Sequence, residues 1–181
     1  MKHILFLIIG LTFINSVAQN SELQEENLTL LEKFKIAQTV SEKLLLISEK
    51  LNADLKYMPD SISTYCNIGG NRFEYKWEVN HWRDSKGKPC GKKILFYIFY
   101  KKGKYMLELN ESHYPDRKNI LGYLNEKNVD KILILEAKYS RVLFGTRGDE
   151  IESIVVYSDD KKIKKNIEQI IKKENDGYQQ F

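Results

Sequence analysis

Apolar and polar residues recur along this chain with two different periods. Between residues 30 and 51, Leu30, Phe34, Ala37, Leu44 and Leu51 follow one another at steps of three, four or seven, and Val40 and Ile47 fill the same stripe. That stripe predicts one amphipathic helix of about seven turns. Thr29-Leu30-Leu31-Glu32 has the form of a capping box, and Pro59 ends the helix by disfavouring helical backbone at Met58. Lys33, Glu42, Lys43, Glu49 and Lys50 lie mostly off the stripe, so the helix reads as packed on a sheet rather than as a coiled-coil partner. Residues 60–71 read as a loop closed by the turn signal Gly69-Gly70-Asn71.

Period-two alternation starts there. Phe73, Tyr75, Trp77 and Val79 share one face, and Arg72, Glu74, Lys76, Glu78 and Asn80 share the other, which predicts a half-buried strand. After the polar connector 84–89, Ile94–Tyr100 is apolar on both faces and predicts a central strand. A tight turn at Lys102-Gly103 would set Tyr100 opposite Tyr105, Ile98 opposite Leu107 and Phe96 opposite Leu109. Residues 112–117 read as a loop and 119–124 as a short helix.

Two more runs, Ile132–Leu135 and Ile154–Tyr157, are apolar on both faces and predict interior strands. Between them, Val142, Leu143 and Phe144 are expected to pack on the sheet, and Gly145 and Gly148 to form a tight return. Asp159-Asp160 can cap a last helix whose stripe is Ile163, Ile167, Ile170 and Ile171, with a basic outer face that includes Lys161, Lys165 and Lys172 and an end at Asp176-Gly177. Such a lysine row reads as a solvated face rather than a surface for anionic lipid. The pattern predicts an α+β fold: a mixed sheet of about five strands, a long N-terminal helix and a lysine-rich C-terminal helix.

Composition adds a compartment. Lys2 and His3, the apolar run Ile4–Ile14 and the small residues Ser16 and Ala18 have the parts of a signal peptide spanning 1–18. That run is too short to cross a bilayer, and no later segment predicts a transmembrane helix. The expectation is an exported chain, periplasmic or secreted, with a flexible stretch at 19–28 and a single domain over 29–181. The formal net charge is +4, a mild excess that does not imply nucleic acid. The two cysteines, Cys66 and Cys90, would favour a disulfide after export. Each, however, precedes a different strand of the predicted pair, which puts them near opposite ends, and the pairing stays open.

Residues 124–158 resemble a known family. Plug domains of TonB-dependent outer-membrane receptors, especially the glycan-uptake type, carry L-N-x-x-[DN]-I-x-x-I-x-V-L-K, then seven small residues, then [LI]-Y-G-x-[RK]-G and a strand. Leu124, Asn125, Asn128, Val129, Ile132, Ile134 and Leu135 fall on the first part, and Leu143, Phe144, Gly145, Arg147 and Gly148 on the second, without a gap. Glu136 stands where the family has lysine, and Lys138, Tyr139 and Arg141 replace small residues. A receptor also needs a barrel of ~22 strands, which this chain lacks. The resemblance therefore implies a stand-alone plug-like domain of a Gram-negative envelope, and it carries no catalytic residue with it.

Candidate chemistry is sparse. His81 and His113, each near a strand end, are the histidines outside the leader, and an acid–base pair would need them to converge in one cleft. Gly145-Thr146-Arg147-Gly148 matches a nucleic-acid-binding G-x-x-G loop but should then be followed by a helix, and a strand is predicted instead. No metal-ligand, phosphate-loop or serine-hydrolase motif is present, so no cofactor or metal is expected. Asn27-Leu28-Thr29 and Asn110-Glu111-Ser112 are glycosylation sequons, and Tyr75, Trp77 and Tyr97 could stack on sugar or peptide, although strand aromatics usually serve the core. The expected function is an exported, non-enzymatic binding or interaction module of the bacterial cell envelope. Its partner would be an unknown protein or envelope component. The alternative is a small secreted, nuclease-like hydrolase using His81 and His113.

Overall fold

The strand that is apolar on both faces lies inside the larger sheet. The computed structural model describes residues 22–68, 71–100, 105–110, 115–144 and 151–178, with the backbone alone at 60–68, 71–80, 115, 144 and 175–178. Strand β4 (Leu95–Tyr100) pairs antiparallel with β5 (Tyr105–Glu108) in the expected register, Tyr100 opposite Tyr105 and Ile98 opposite Leu107. The Leu109 amide extends it by donating to the Phe96 carbonyl at 2.8 Å. The Lys102-Gly103 turn lies outside the described residues. On its other side β4 runs parallel to β7 (Ser153–Ser158), and β7 pairs antiparallel with β6 (Lys131–Leu135). The result is a mixed four-stranded sheet in the order β5-β4-β7-β6. Of the two runs expected inside the sheet, Ile154–Tyr157 is interior, but Ile132–Leu135 is an edge strand and only half-buried.

The remaining strands form a second, antiparallel sheet in the order β1-β2-β3: β1 (Met58–Ile68), β2 (Asn71–Arg83) and β3 (Pro89–Gly91). Residues 60–68, expected as loop, are therefore strand. Their serines, threonine and asparagine give little apolar signal, and pairing with the long β2 decides the conformation. Pro59 sits beside a register shift near the start of β1, where a missing amide is tolerated. The 84–88 connector is wound on one carboxylate: Asp84 Oδ1 accepts from the amides of Lys86 and Lys88 at 2.8 and 2.9 Å, and Gly87 takes a left-handed φ of 79°.

Strand register also bears on the cysteines. Cys66 pairs with Phe73 near one end of β2, whereas β3, which carries Cys90, pairs with Trp82 and Arg83 at the other. About nine residues of strand separate the two positions, ~30 Å, against the ~7 Å a bridge spans. Cys90 is buried, and its thiol donates to the Lys88 carbonyl at 3.3 Å. Thiol titration of the denatured, unreduced protein is expected to find two thiols per chain.

The single long helix is two. Helix α1 (Glu22–Ile36) starts inside the stretch expected to be flexible, because Leu23 is fully buried there, and α2 (Val40–Ala53) follows a break at 37–39. The capping box forms at the break, not at Thr29, which lies exposed within α1. Glu42 N donates to Thr39 Oγ1 at 3.1 Å, and Glu42 Oε2 accepts from the Thr39 and Gln38 amides. After β6 comes α3 (Ala137–Phe144), and after β7 comes α4 (Lys161–Tyr178), capped by Asp160, whose Oδ1 accepts from Lys162 N at 2.6 Å. Helix α4 continues through Asp176 and Gly177.

One main core joins these elements. Phe96, Ile98, Ile154 and Val156 from the mixed sheet pack with Phe34 of α1, Ile47 and Leu51 of α2, Ile120 of a 3-10 segment (Pro115–Tyr123), and Ile163 and Ile167 of α4. Ile170 and Ile171 pack partly buried against it. On the other face of the sheet Leu95, Tyr97 and Val155 are buried, with Phe99 and Tyr157 meeting edge to face at 5.4 Å. A small third core of Leu23, Tyr57, Trp82 and Cys90 ties α1 to the second sheet. Among the described residues no helix is long and apolar enough to cross a membrane.

Candidate functional site

The buried stripe of α2 contains one charged residue and leads to another just past the helix end. Lys50 follows Ile47 by one turn and Asp54 follows Lys50 by another, which points both side chains into the junction of α1, α2 and the second sheet. Lys50 is 5 % exposed and Asp54 2 %, and their ion pair measures 2.6 Å. Lys50 also reaches Glu26 of α1 at 3.1 Å. Nearer solvent, Lys56 bridges Glu22 and Glu26 at 2.5 and 2.6 Å. Burial alone would push the Glu26 carboxyl up, but the bonds from Lys56 and Lys50 outweigh it and hold the group below the usual range.

A second lysine approaches from the opposite side. Lys93, also buried, donates to the backbone carbonyl of Asp54 at 2.7 Å and rests its ammonium over the Trp82 indole, 3.4 Å from the ring centroid. Two polar atoms remain. Asp54 Oδ2 and Tyr57 Oη are both buried; Asp54 Oδ2 has no hydrogen-bond partner among the described residues, and the Tyr57 hydroxyl is within the influence of the Lys56 ammonium. Both residues line a cleft of about 230 Å³, walled by Leu51, Leu55, Trp82 and Leu109, with Asn110 and Lys118 also at its surface.

Burial governs the titration of both. Desolvation pushes the Asp54 carboxyl above its usual range, more strongly than Lys50 and Lys93 pull it down. Desolvation, with the Glu26 charge behind it, pushes the Tyr57 phenol up to about 12, so it is a neutral hydroxyl at physiological pH. A carboxyl that holds its proton more tightly folded than unfolded adds stability below the ordinary aspartate range. That increment disappears as pH rises through the raised value. An Asp54→Asn variant lacks the term. The stability of the natural protein relative to this variant is therefore expected to fall as pH is raised from about 3 to 7. Urea denaturation at stepped pH measures it, and a flat difference would contradict the raised value.

His81 lies elsewhere. It is exposed and lines a more open groove of about 430 Å³ with Gln24, Asn27, Lys92 and Glu152. His113 lies outside the described residues, as do the side chains of Tyr75 and Trp77 and the loop Gly145–Gly148. Tyr97, the third aromatic considered for stacking, is buried and reaches Glu108 Oε2 at 3.2 Å, as a core residue does. The side-chain nitrogens of both sequon asparagines are engaged. Asn27 Nδ2 donates to the Lys92 carbonyl at 2.9 Å, and Asn110 Nδ2 donates to that of Ile94 at 2.9 Å. Among the described residues no group of three or more His, Cys, Asp or Glu is placed to hold a metal ion.

The plug-like residues have local roles. Asn128 Oδ1 accepts from the Asn125 amide at 2.8 Å, and its Nδ2 donates to the Tyr123 carbonyl at 2.7 Å, which closes the turn ahead of β6. Leu124 and Val129 pack into the main core, with Ile132 and Ile134 partly buried against it. Val142 and Leu143 do not pack on the sheet. They are 81 % and 57 % exposed, and Ser140 takes the buried position in α3, donating to the Leu135 carbonyl at 3.3 Å. Glu136 pairs with Lys138 at 2.9 Å on the surface.

Nothing in the sequence reading singled out Asp54, Tyr57, Trp82 or Lys93. The available signal was Lys50 adjoining the stripe of Ile47 and Leu51, with an acid four residues on. No protein-family model, curated protein or solved structure matches this chain.

Proposed function

We propose that this chain is an exported, non-enzymatic binding module of the bacterial cell envelope that takes a small ligand in the cleft between α2 and the second sheet. The observation that carries this reading is a cleft of about 230 Å³ whose lining sets Asp54, Tyr57 and Asn110 among Leu51, Leu55 and Leu109. Polar side chains set among apolar walls offer a small ligand hydrogen bonds that fix its orientation. The apolar walls shield those bonds from water.

Three measurements test it. Intact mass of the exported protein is expected to place the mature N-terminus at residue 19. Native mass spectrometry and a thermal-shift screen are expected to find a small molecule whose effect is lost in Tyr57→Phe and Asp54→Asn. No retained mass, and no shift dependent on those residues, would count against the reading.

A second reading rests on α3. Tyr139, Val142 and Leu143 are exposed there next to edge strand β6, within the segment that resembles a receptor plug. An apolar helix face beside an open sheet edge suits contact with an envelope protein. A photo-crosslinker at Val142 is expected to trap one defined partner in an envelope fraction. Labelling at the level of a control on the Lys161 side of α4 would end that reading.

A further inference from the structure

We infer that the outer face of α4 docks on an anionic lipid bilayer, a contact that goes beyond the cleft reading and does not depend on it. Charge distribution is the first ground. Lys161, Lys162, Lys165, Lys172 and Lys173 are all exposed. At 3.6 residues per turn they fall within about 120° of the helix circumference and along ~18 Å of its axis. Ile163, Ile167 and Ile170 lie on the opposite side, against the core. Six lysines against three acids give α4 most of the formal net charge of +4.

Pairing is the second. None of these five ammonium groups has an acidic partner among the described residues. Three acids beside them are engaged elsewhere. Glu168 meets Lys164 at 3.4 Å, Glu174 meets Arg117 at 2.7 Å, and Asp160 caps the helix by accepting from the Lys162 and Ile163 amides. The exposed side of α1, by contrast, mixes Glu25 and Glu32 with Lys33 and Lys35. At physiological salt the Debye length is about 8 Å, comparable to the spacing along the lysine row, so the charges act together on a facing surface.

Chemistry and shape are the third. Between Lys161 and Lys173 the helix has no arginine, whose planar fork grips single phosphates, and no aromatic ring on which a base could stack. Lysines are point charges that suit the diffuse field of many anionic headgroups, at about fivefold in partitioning per residue. The face is also presented rigidly. Ile163 and Ile167 are fully buried, and Arg117 grips Glu174 through two nitrogens at 2.7 and 2.8 Å. Because the apolar stripe is already in the core, α4 lies on the headgroups without inserting, and the contact is peripheral and reversed by salt.

The test measures co-sedimentation of the full exported chain with vesicles rich in phosphatidylglycerol and with vesicles of phosphatidylcholine alone. Binding to the first and not the second is expected at ~0.15 M salt, with release at ~1 M, where the Debye length falls to about 3 Å. Lys165→Gln combined with Lys172→Gln is expected to lower partitioning about 25-fold. Lys33→Gln combined with Lys35→Gln removes the same charge from α1 and is expected to leave it nearly unchanged. All four side chains are exposed, so the fold should survive both pairs of changes. Equal losses in the two variants would make net charge the cause and overturn the inference. Binding to both kinds of vesicle alike overturns it too. So does tighter binding of a short DNA duplex, at equal phosphate concentration, through the same lysines. Absence of binding to phosphatidylglycerol overturns it and leaves the cleft reading untouched. Failure to find a small molecule in the cleft, with vesicle binding kept, does the reverse.

Discussion

Replacing Phe96 by alanine is expected to lower the free energy of unfolding by about 3–5 kcal/mol, the range for deleting a buried phenylalanine. Among the described residues Phe96 is the largest fully buried side chain, and it lies on β4, inside the mixed sheet. Its ring belongs to the core that α1, α2 and α4 share, so no single element can move in to fill the space. Its backbone is held on both sides: the amide donates to Asn110 Oδ1 at 2.6 Å and the carbonyl accepts from Leu109. A domain of this size has only ~5–15 kcal/mol in total, so the variant should sit near the edge of folding. Urea denaturation at neutral pH gives the number. A loss below about 1 kcal/mol would mean that the core closes around the gap.

Lys50→Met is expected to be comparably costly, about 3–5 kcal/mol at neutral pH. The methionine keeps most of the stem's volume, so the loss would be electrostatic. Without the ammonium, the Asp54 carboxylate stays buried with one fewer partner, and Glu26 keeps only Lys56. Removing both members of such a pair is far milder than removing one. Lys50→Met combined with Asp54→Leu should therefore recover most of the loss. The single variant should also regain stability on acidification, since a protonated Asp54 no longer needs a cation. Equal losses in the single and double variants would show that the pair is not coupled.

These two sites differ in how visible they are from sequence. Phe96 was legible because a run apolar on both faces, followed by a short turn and a returning apolar strand, permits one register that keeps a continuous core face. Asp160 was legible as a cap for the same local reason. The helix break was not, because Thr29-Leu30-Leu31-Glu32 and Thr39-Val40-Ser41-Glu42 are equally good capping boxes, and the apolar stripe runs across both. Burial of Leu23 and the end of α1 against the sheets decide between them. Strand β1 was hidden by its polar composition, since its conformation is supplied by the ladder to β2 and not by its own residues. The exposed Val142 and Leu143 show the converse: apolar spacing says which residues share a helix face, and tertiary placement says whether that face is covered.

The candidate site was the least legible part. Asp54 and Tyr57 come from the short turn that follows α2, Trp82 from the end of β2 and Lys93 from the approach to β4, so their meeting depends on how two sheets and a helix pack. Lysine on a helix also reads as solvent-facing by default. Only the joint burial of Lys50, Asp54 and Lys93, which charges avoid unless paired, marks the junction as unusual. His81, the one described member of the expected histidine pair, opens instead onto the separate groove bordered by Glu152.

The parallel ladder between β4 and β7 sets an order of assembly. Leu95 finds its partner Ser153 almost sixty residues along the chain, whereas β4–β5, β1–β2 and β6–β7 close over much shorter loops. Local hairpins and helices can form early at little entropic cost, but the ladder that joins the two halves of the mixed sheet has to wait for the C-terminal quarter of the chain. Until then β4 has one neighbour and an open apolar edge, which is the condition that invites misassociation. A chain threaded across a membrane from its N-terminus would hold that edge uncovered until nearly the whole sequence had emerged.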